Sequence, residues 1–201
     1  MGQDDEYMNF VTPLEGIEIL EYYMAGMDQV PGHEQAQVMD NTTVIHYCNR
    51  GQAEIRVQDG RYAYMKPGEF CIEWHQQVGK QFNFYNESYG GLEIIMTLDG
   101  ISDEDEALLR RFGIDLDLIQ EAYDRNDDYF IGRCTDRFQA AFEVLAESIQ
   151  DGRSEKSTYL ISTLYVLNLI QTEAIPKLEQ QFYRDEGTAE DRAGDPRPYR
   201  A

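Results

Sequence analysis

The stretch that decides the fold is VIHYCNRGQAEIRVQDG, residues 44–60. It opens with a strand-like run and continues with QAEIRV, where apolar and polar residues alternate as they do along a half-buried β-strand. The Asp-Gly pair that follows favours a tight hairpin turn, because both positions tolerate positive φ. YAYM then resumes the strand pattern, so we predict a β-hairpin here.

Turn signals at short, regular spacing extend this pattern over Leu14 to Thr97. Pro67 and Gly68 break the chain before EFCIEWH, and a pair of glycines leads into GGLEIIMTL, which has the composition of a buried strand. GIEILEYYMAG, TTVIHYCN and KQFNFYN also have strand-like patterns. About six to eight short strands at this spacing predict a barrel or a sandwich.

The pattern becomes helical after Gly100. Ser102 followed by Asp105 is a capping-box pattern, which marks a helix start. A second short helix is predicted at DLDLIQEAY, and a longer one begins near Thr135. The longer helix is expected to bury one apolar stripe, formed by Phe138, Phe142, Leu145 and Ile149.

The last predicted helix, TYLISTLYVLNLIQTEA, is apolar on nearly every side. One stripe consists of Leu160, Leu164 and Leu167, and a second of Tyr159, Val166 and Ile170. A helix with two apolar faces must bury both, so we expect one face to pack on its own domain and the leucine stripe to contact a second copy. The sequence thus predicts a homodimer. Simple core packing is the alternative.

The chain is therefore expected to comprise a β-barrel domain over residues 1–100, a helical dimerisation segment over 101–180 and a disordered tail over 181–201. The tail has no periodic apolar positions and carries several Gly and Pro residues.

Composition limits the function classes. The formal net charge of −21 argues against direct binding of nucleic acid or an anionic membrane surface. No run of 18 or more apolar residues and no signal peptide is recognisable, so a cytoplasmic location is expected. The three cysteines are widely spaced without a CxxC pair, which favours reduced thiols over disulfides or a zinc site.

Three segments, in this order along the chain, carry a resemblance: HYCNRG, the PGEF turn and YGGLEI. Together with the closing helix YLISTLYVLNLIQ, they resemble the N-terminal regulatory half of AraC-family transcription regulators. The resemblance covers roughly Leu14 to Leu178. It implies an α+β fold, with a cupin-like barrel (a double-stranded β-helix) that often binds a small effector, followed by dimerising helices.

The family normally continues into a basic domain with two helix-turn-helix units, and nothing after Gln180 could form one. The chain is therefore expected to be an effector-sensing and dimerisation module without its own DNA-binding domain, as in a truncated regulator. The alternatives are a small cupin enzyme, such as a metal-dependent isomerase or dioxygenase, and a stand-alone ligand-binding cupin protein.

Neither a metal nor catalysis is favoured by the residues. Metal-dependent cupins use clustered histidines with a carboxylate, whereas here His46 is followed by Cys48 and His75 has no second His beside it. There is also no GxSxG, P-loop, GxGxxG or HExxH motif. We therefore expect no metal, no cofactor and no enzymatic activity.

A pocket inside the barrel is the remaining prediction. Along the predicted strand at residues 70–75, Cys71, Glu73 and His75 point to one side while Phe70, Ile72 and Trp74 point to the other. Trp74 could stack on a sugar ring or an aromatic effector, with a charged group fixing a polar substituent; alternatively, Trp74 is core and Glu73 a solvated charge. The candidate ligand-binding residues are His46, Cys48, Arg56, Glu73, Trp74 and His75.

Overall fold

The computed structural model describes residues 6–25, 41–56, 61–74, 82–84, 88–123, 129–150, 155–173 and 183–184. Within these ranges the chain forms ten strands and four α-helices. The strands are β1 (Tyr7–Leu14), β2 (Ile17–Ala25), β3 (Thr42–Arg50), β4 (Ala53–Arg56), β5 (Arg61–Met65), β6 (Glu69–Trp74), β7 (Phe82–Phe84), β8 (Ser88–Thr97), β9 (Tyr129–Arg133) and β10 (Tyr183–Arg184). The helices are α1 (Asp103–Arg111), α2 (Leu116–Tyr123), α3 (Asp136–Gln150) and α4 (Lys156–Thr172).

The strands form two antiparallel sheets. The large sheet has six strands in the order β1-β2-β8-β3-β6-β9, and the small sheet has four in the order β10-β5-β4-β7. The predicted combination of β-sheet and helices is therefore confirmed. Hydrogen-bonded strand pairs do not join the two sheets in the described part of the chain, so a closed double-stranded β-helix remains a prediction.

The hairpin predicted from QAEIRV and YAYM is present as β4 and β5. Ala53 pairs with Met65 and Arg56 with Tyr62, while the Asp-Gly turn between the strands lies outside the described residues. The Pro67-Gly68 turn is also confirmed, because the Glu69 N–H donates to the Lys66 carbonyl at 3.0 Å across it. This turn connects the small sheet to β6 of the large one.

The predicted helices have the expected starts. Ser102 caps α1 by accepting a hydrogen bond from the Asp105 N–H at 3.3 Å, and Thr135 does the same for the Phe138 N–H at the start of α3. The α3 stripe is buried as predicted. It packs with α4 against one face of the large sheet and forms the main hydrophobic core. No helix among the described residues is long and apolar enough to cross a membrane.

Three strands were not predicted. β1 lies before the predicted start of the β pattern and forms one edge of the large sheet by pairing with β2. β9 lies among the helices yet pairs with β6 and forms the opposite edge. The short β10 lies in the stretch assigned to the tail and pairs with β5. The large sheet formed by the first hundred residues thus also includes β9, which comes from the segment that was predicted to be helical.

Candidate functional site

A charged cluster lies at the centre of the large sheet, on the face that does not contact the helices. On β3, His46 pairs with Cys71 of β6 on one side and with Glu93 of β8 on the other. Residues two apart on a strand share a face, so Glu73 of β6 and Tyr22 of β2 occupy neighbouring positions on this same face. These four side chains form the His46 cluster: Tyr22, His46, Glu73 and Glu93.

The small sheet covers this face. Ala53 of β4 and Met65 of β5 pack with Tyr22, Cys48 and Cys71 of the large sheet in a second, smaller buried group. The His46 cluster therefore lies between the two sheets, where a cupin-like barrel would have its interior. All four of its side chains are buried from solvent.

The distances within the cluster show a chain of ion pairs and hydrogen bonds. His46 Nδ1 lies 3.2 Å from Glu93 Oε1, and His46 Nε2 lies 3.7 Å from Glu73 Oε2. The Tyr22 hydroxyl donates to Glu93 Oε1 at 3.0 Å. One imidazole is thus placed between two carboxylates, one of which also receives a phenol hydrogen bond.

These contacts keep His46 protonated. Burial alone would lower the pKa of the imidazole, but the carboxylates of Glu93 and Glu73 outweigh burial and raise that pKa from 6.5 to about 10. Burial, reinforced by the charge of Glu93, raises the pKa of the Tyr22 phenol well above its ordinary value. At neutral pH, His46 is therefore a buried imidazolium and Tyr22 a neutral hydrogen-bond donor.

Gly91 makes room for this arrangement. It pairs with Tyr22 on β2 and with Cys48 on β3, so it lies in the row next to His46 and Glu93. A Cβ atom built at Gly91 would lie 2.6 Å from the Tyr47 carbonyl oxygen, which is too close for any side chain, and 3.6 Å from the Tyr22 hydroxyl. The glycine pair of YGGLEI therefore lets β8 lie close to β3 and lets Tyr22 reach Glu93.

The cluster does not fit a bound metal. Glu93 approaches Nδ1 of His46 whereas Glu73 approaches Nε2, so the two carboxylates lie at opposite edges of the ring and cannot share one cation with it. Across the described ranges, no group of three or more His, Cys, Asp or Glu side chains is arranged to hold a metal ion. Cys48 does not join His46 as a ligand, since its Sγ is directed at the carbonyls of Arg50 and Gly51.

The structure brings together only part of the predicted ligand-binding set. His46 and Glu73 are in the cluster, and Cys48 lies on the same face of β3. Glu73 is 3% exposed, so the alternative of a solvated charge is wrong. Arg56 ends β4 and Trp74 ends β6, but their side chains are outside the described part of the structure, as is all of His75.

Sequence reasoning missed Tyr22 and Glu93. Glu93 was visible as the charged residue in the otherwise apolar run GGLEIIM, because a single acid inside a buried strand needs a partner. Tyr22 gave no such signal, since tyrosine is common in strands as a packing residue. Both depend on strand neighbours that are far apart in the sequence.

The leucine stripe of α4 is placed differently from the prediction. Leu164 and Leu167 are buried in the chain's own core, and Leu160 packs partly buried against it. These side chains attach α4 to its own domain, so the assignment of Leu164 and Leu167 to a surface between copies is corrected. The exposed apolar side chains of α4 are Ile161 and Tyr165.

Comparison with known proteins gives distant structural similarity. No protein-family model and no curated protein sequence matches the chain. ToxT from Vibrio cholerae strain SCE256, solved with a bound unsaturated fatty acid, is 12% identical over 84% of this chain and 57% of its own, with a TM-score of 0.47. This chain thus spans just over half the length of ToxT.

Two further structures are similar over a shorter part. A cupin protein from Bacteroides fragilis is 16% identical over 51% of this chain and 86% of its own, with a TM-score of 0.37. A putative mannose-6-phosphate isomerase from Ralstonia eutropha JMP134 is 18% identical over 47% and 87%, with a TM-score of 0.35. Scores and identities this low do not support an inference about function.

Proposed function

We propose that this chain is the effector-sensing and dimerising part of a transcription regulator of the AraC type, and that it is not an enzyme. The observation that carries the proposal is the buried His46 cluster. The three motif segments of the sequence resemblance are far apart along the chain, but they belong to β3, β6 and β8, which are adjacent in the large sheet. The resemblance and the cluster therefore coincide in space.

The cost of burying this cluster supports a role in binding. Burying a charge carries a desolvation penalty that pairing often only just offsets, and apolar residues of similar volume often stabilise a fold as well or better. Perturbed ionisable groups with specific charge partners also concentrate at functional sites. We infer that a small polar effector bearing hydroxyl or amino groups exchanges hydrogen bonds with these side chains.

Effector binding would act by shifting the population of two states of the domain. The shift can be no larger than the effector's differential affinity for those states. In this role the residues of this chain make no contact with nucleic acid themselves, in keeping with their formal net charge of −21, and they work in the cytoplasm by changing how a dimer presents DNA-binding domains.

A ligand screen on the full chain tests the sensing role. A panel of monosaccharides and other polyols is added to the wild type, to His46→Gln and to Glu121→Gln, a matched variant with an exposed polar change on α2. We expect at least one compound class to raise the Tm of the wild type and of Glu121→Gln but not of His46→Gln. Equal shifts in all three proteins, or no shift with any compound, would contradict the proposed site.

Dimerisation is proposed to use the exposed face of α4. Ile161 is 65% exposed and Tyr165 follows one turn later, on a helix whose one charged residue is Lys156. The Arg137 guanidinium of α3 lies 5.5 Å from the centre of the Tyr165 ring, at the edge of this partly apolar face. A second copy related by two-fold symmetry could cover the face.

Sedimentation of the chain at micromolar concentration tests the dimer. We expect the wild type to sediment as a dimer and Ile161→Lys as a monomer. Leu118→Lys is the matched control, because Leu118 is a comparably exposed apolar residue, 49% exposed, on α2. A monomeric wild type, or equal dissociation by both variants, would show that α4 is not the interface.

The metal-dependent enzyme is the competing proposal. The opposite-edge placement of Glu73 and Glu93 around His46 argues against it, since the donors do not converge. Elemental analysis of the purified protein is expected to find Fe, Mn and Zn well below one atom per chain. A stoichiometric metal that is lost in His46→Gln would favour the enzyme instead.

A further inference from the structure

A concave region lies on the face of the large sheet opposite the His46 cluster. It is a cleft of about 630 Å³ between the end of the sheet and helix α3. Register places Tyr7, Tyr23, Gly90 and Arg50 in one row across β1, β2, β8 and β3. This row forms one side of the cleft, and α3 forms the other.

Gly90 opens the floor of the cleft. A Cβ atom built there would lie 2.8 Å from Asn49 Oδ1 and 3.4 Å from the Tyr23 ring, so a side chain at this position would crowd two residues that line the cleft. The wall from α3 is a single helical face, because Glu143, Ala146 and Glu147 lie at i, i+3 and i+4. The shape of the cleft therefore depends on a glycine in the sheet and on residue spacing along α3.

The floor beside Gly90 is fixed by a polar network. Glu21 is fully buried and accepts hydrogen bonds at 2.7 Å from both the Tyr7 hydroxyl and the Gln150 amide. Asn9 donates to its other oxygen at 3.1 Å. This network joins β1 and β2 to α3, so the cleft is a built feature whose walls are held together by hydrogen bonds.

The lining favours a cation. The Tyr7 and Tyr23 rings lie 6.1 Å apart, and the Arg50 guanidinium lies 4.7 Å from the centre of the Tyr23 ring. The chain's own planar cation thus already stacks on an aromatic wall of this cleft. Arg50 is outnumbered by acids, because Glu143 and Glu147 line the cleft and the Glu21 carboxylate lies beneath it.

We propose that this cleft is a second ligand site, independent of the His46 cluster, which takes a small organic cation bearing a guanidinium or primary amine group. The cation packs against the tyrosine rings beside Arg50 and pairs with the carboxylates of Glu143 and Glu147. Since the whole chain has a formal net charge of −21, its field also favours the approach of cations over anions. The proposal goes beyond the effector site between the sheets and does not depend on it.

Agmatine, which carries a guanidinium and a primary amine, is the probe. Titration calorimetry on the full chain is expected to show saturable binding by ~10 mM. Its analogue 4-guanidinobutanoate keeps the guanidinium but replaces the amine with a carboxylate, so it should bind more weakly. In ¹H-¹⁵N spectra, agmatine is expected to shift the amides of Gly90 and Ala146 most.

The charge test uses two double variants with the same change in net charge. Glu143→Gln/Glu147→Gln should weaken agmatine binding by roughly fivefold or more, since each exposed carboxylate contributes a modest ion pair. Glu104→Gln/Glu121→Gln alters exposed acids on α1 and α2 and should leave binding unchanged. Equal weakening in both double variants would show a general charge effect and overturn the site.

His46→Gln separates the two sites. The proposal requires that this variant bind agmatine as the wild type does. Loss of binding in His46→Gln, or amide shifts centred on Cys71 and Glu73 of β6 instead of Gly90, would place the cation between the sheets and overturn the cleft proposal while supporting the effector site. Absence of any agmatine binding would overturn the cleft site and leave the effector proposal to its own test.

Discussion

The two faces of the large sheet are made by the same strands and have opposite chemistry. The face toward the helices is apolar and aromatic at its centre, where Tyr47 stacks on Phe142 with ring centres 4.4 Å apart and Phe70 packs on the same ring. The face toward the small sheet carries the His46 cluster. On β3, His46 and Tyr47 are consecutive residues, so strand alternation alone separates the two environments.

This difference indicates that the face toward the helices contributes most of the stability. Each Å² of apolar surface buried under the helices contributes about 25 cal/mol to folding, without any need for exact partners. The buried charges contribute little net stability and are very costly to leave unpaired. We therefore expect substitutions on the helix face to act through packing alone, whereas substitutions in the His46 cluster also change the response of the fold to pH and to ligands.

The largest effect is expected on the helix face. Phe142 is fully buried, so Phe142→Ala should lower the free energy of unfolding by about 3–5 kcal/mol through lost packing and a residual cavity. Urea unfolding at neutral pH measures this. Val144, two residues along α3 and 55% exposed, is the control: Val144→Ala should change the free energy by less than about 0.5 kcal/mol. Equal losses would mean that α3 is not held by this stripe.

The second prediction concerns pH and belongs to the other face. The pKa of His46 is raised from 6.5 to about 10 in the folded chain by Glu93 and Glu73, so its stabilising contribution is complete below pH 6.5 and is lost as pH rises toward 10. Over pH 6.5 to 9 the free energy of unfolding should fall by about 3 kcal/mol, with a slope of up to ~1.4 kcal/mol per pH unit.

The window for this measurement stops at pH 9 for a physical reason. Burial raises the pKa of the Cys48 and Cys134 thiols from 9.0 to about 12. Above pH 9 these thiols therefore ionise in the unfolded chain but not in the folded one, and this difference lowers stability independently of His46. Within the window, His46→Gln should flatten the profile. A slope that is unchanged in His46→Gln would assign the pH dependence to other groups and contradict the buried imidazolium.

The third prediction removes one charge from the cluster. Glu93→Gln keeps an acceptor for the Tyr22 hydroxyl but leaves the imidazole of His46 with a single carboxylate, so the free energy of unfolding should fall by about 2 kcal/mol. The pKa of His46 should also fall, and NMR titration of the imidazole protons measures it. Glu106→Gln is the control, since its ion pair with Arg110 is exposed and contributes little.

Much of the fold could be predicted because its signals are local. The hairpin, the Pro-Gly turn, the Ser102 cap and the α3 stripe each depend on residues within a few positions of one another, and all are present. β9 could not be predicted, since the five residues Tyr129–Arg133 are surrounded by helices and become a strand only through pairing with β6. Leu164 and Leu167 were assigned to the wrong surface because periodicity shows that a face is apolar, not which partner covers it.

The site could be predicted only in part for the same reason. His46 was conspicuous as a rare residue type, and Glu73 followed from alternation along its strand. Their relation to Glu93 depends on strand order, which places β8 beside β3 although the two strands begin 46 residues apart, at Thr42 and Ser88. A pair distant in sequence leaves no periodic pattern, so sequence reasoning proposed residues from β4 and β6 instead.

The smallest effect we predict is also the most specific test of the charged face. Tyr22→Phe removes only the hydroxyl that donates to Glu93, and it should lower the free energy of unfolding by about 1–1.5 kcal/mol. Because Glu93 then depends more on the imidazolium, the pKa of His46 should rise further.

Tyr64→Phe removes a similar hydroxyl, which donates to Glu54 at 3.0 Å on the small sheet, and should leave the pKa of His46 unchanged. NMR titration can resolve His46 because the chain has only three histidines. If both variants lower stability equally and neither moves the pKa, Tyr22 is a packing residue like those under the helices, and the functional contrast between the two faces does not extend to it.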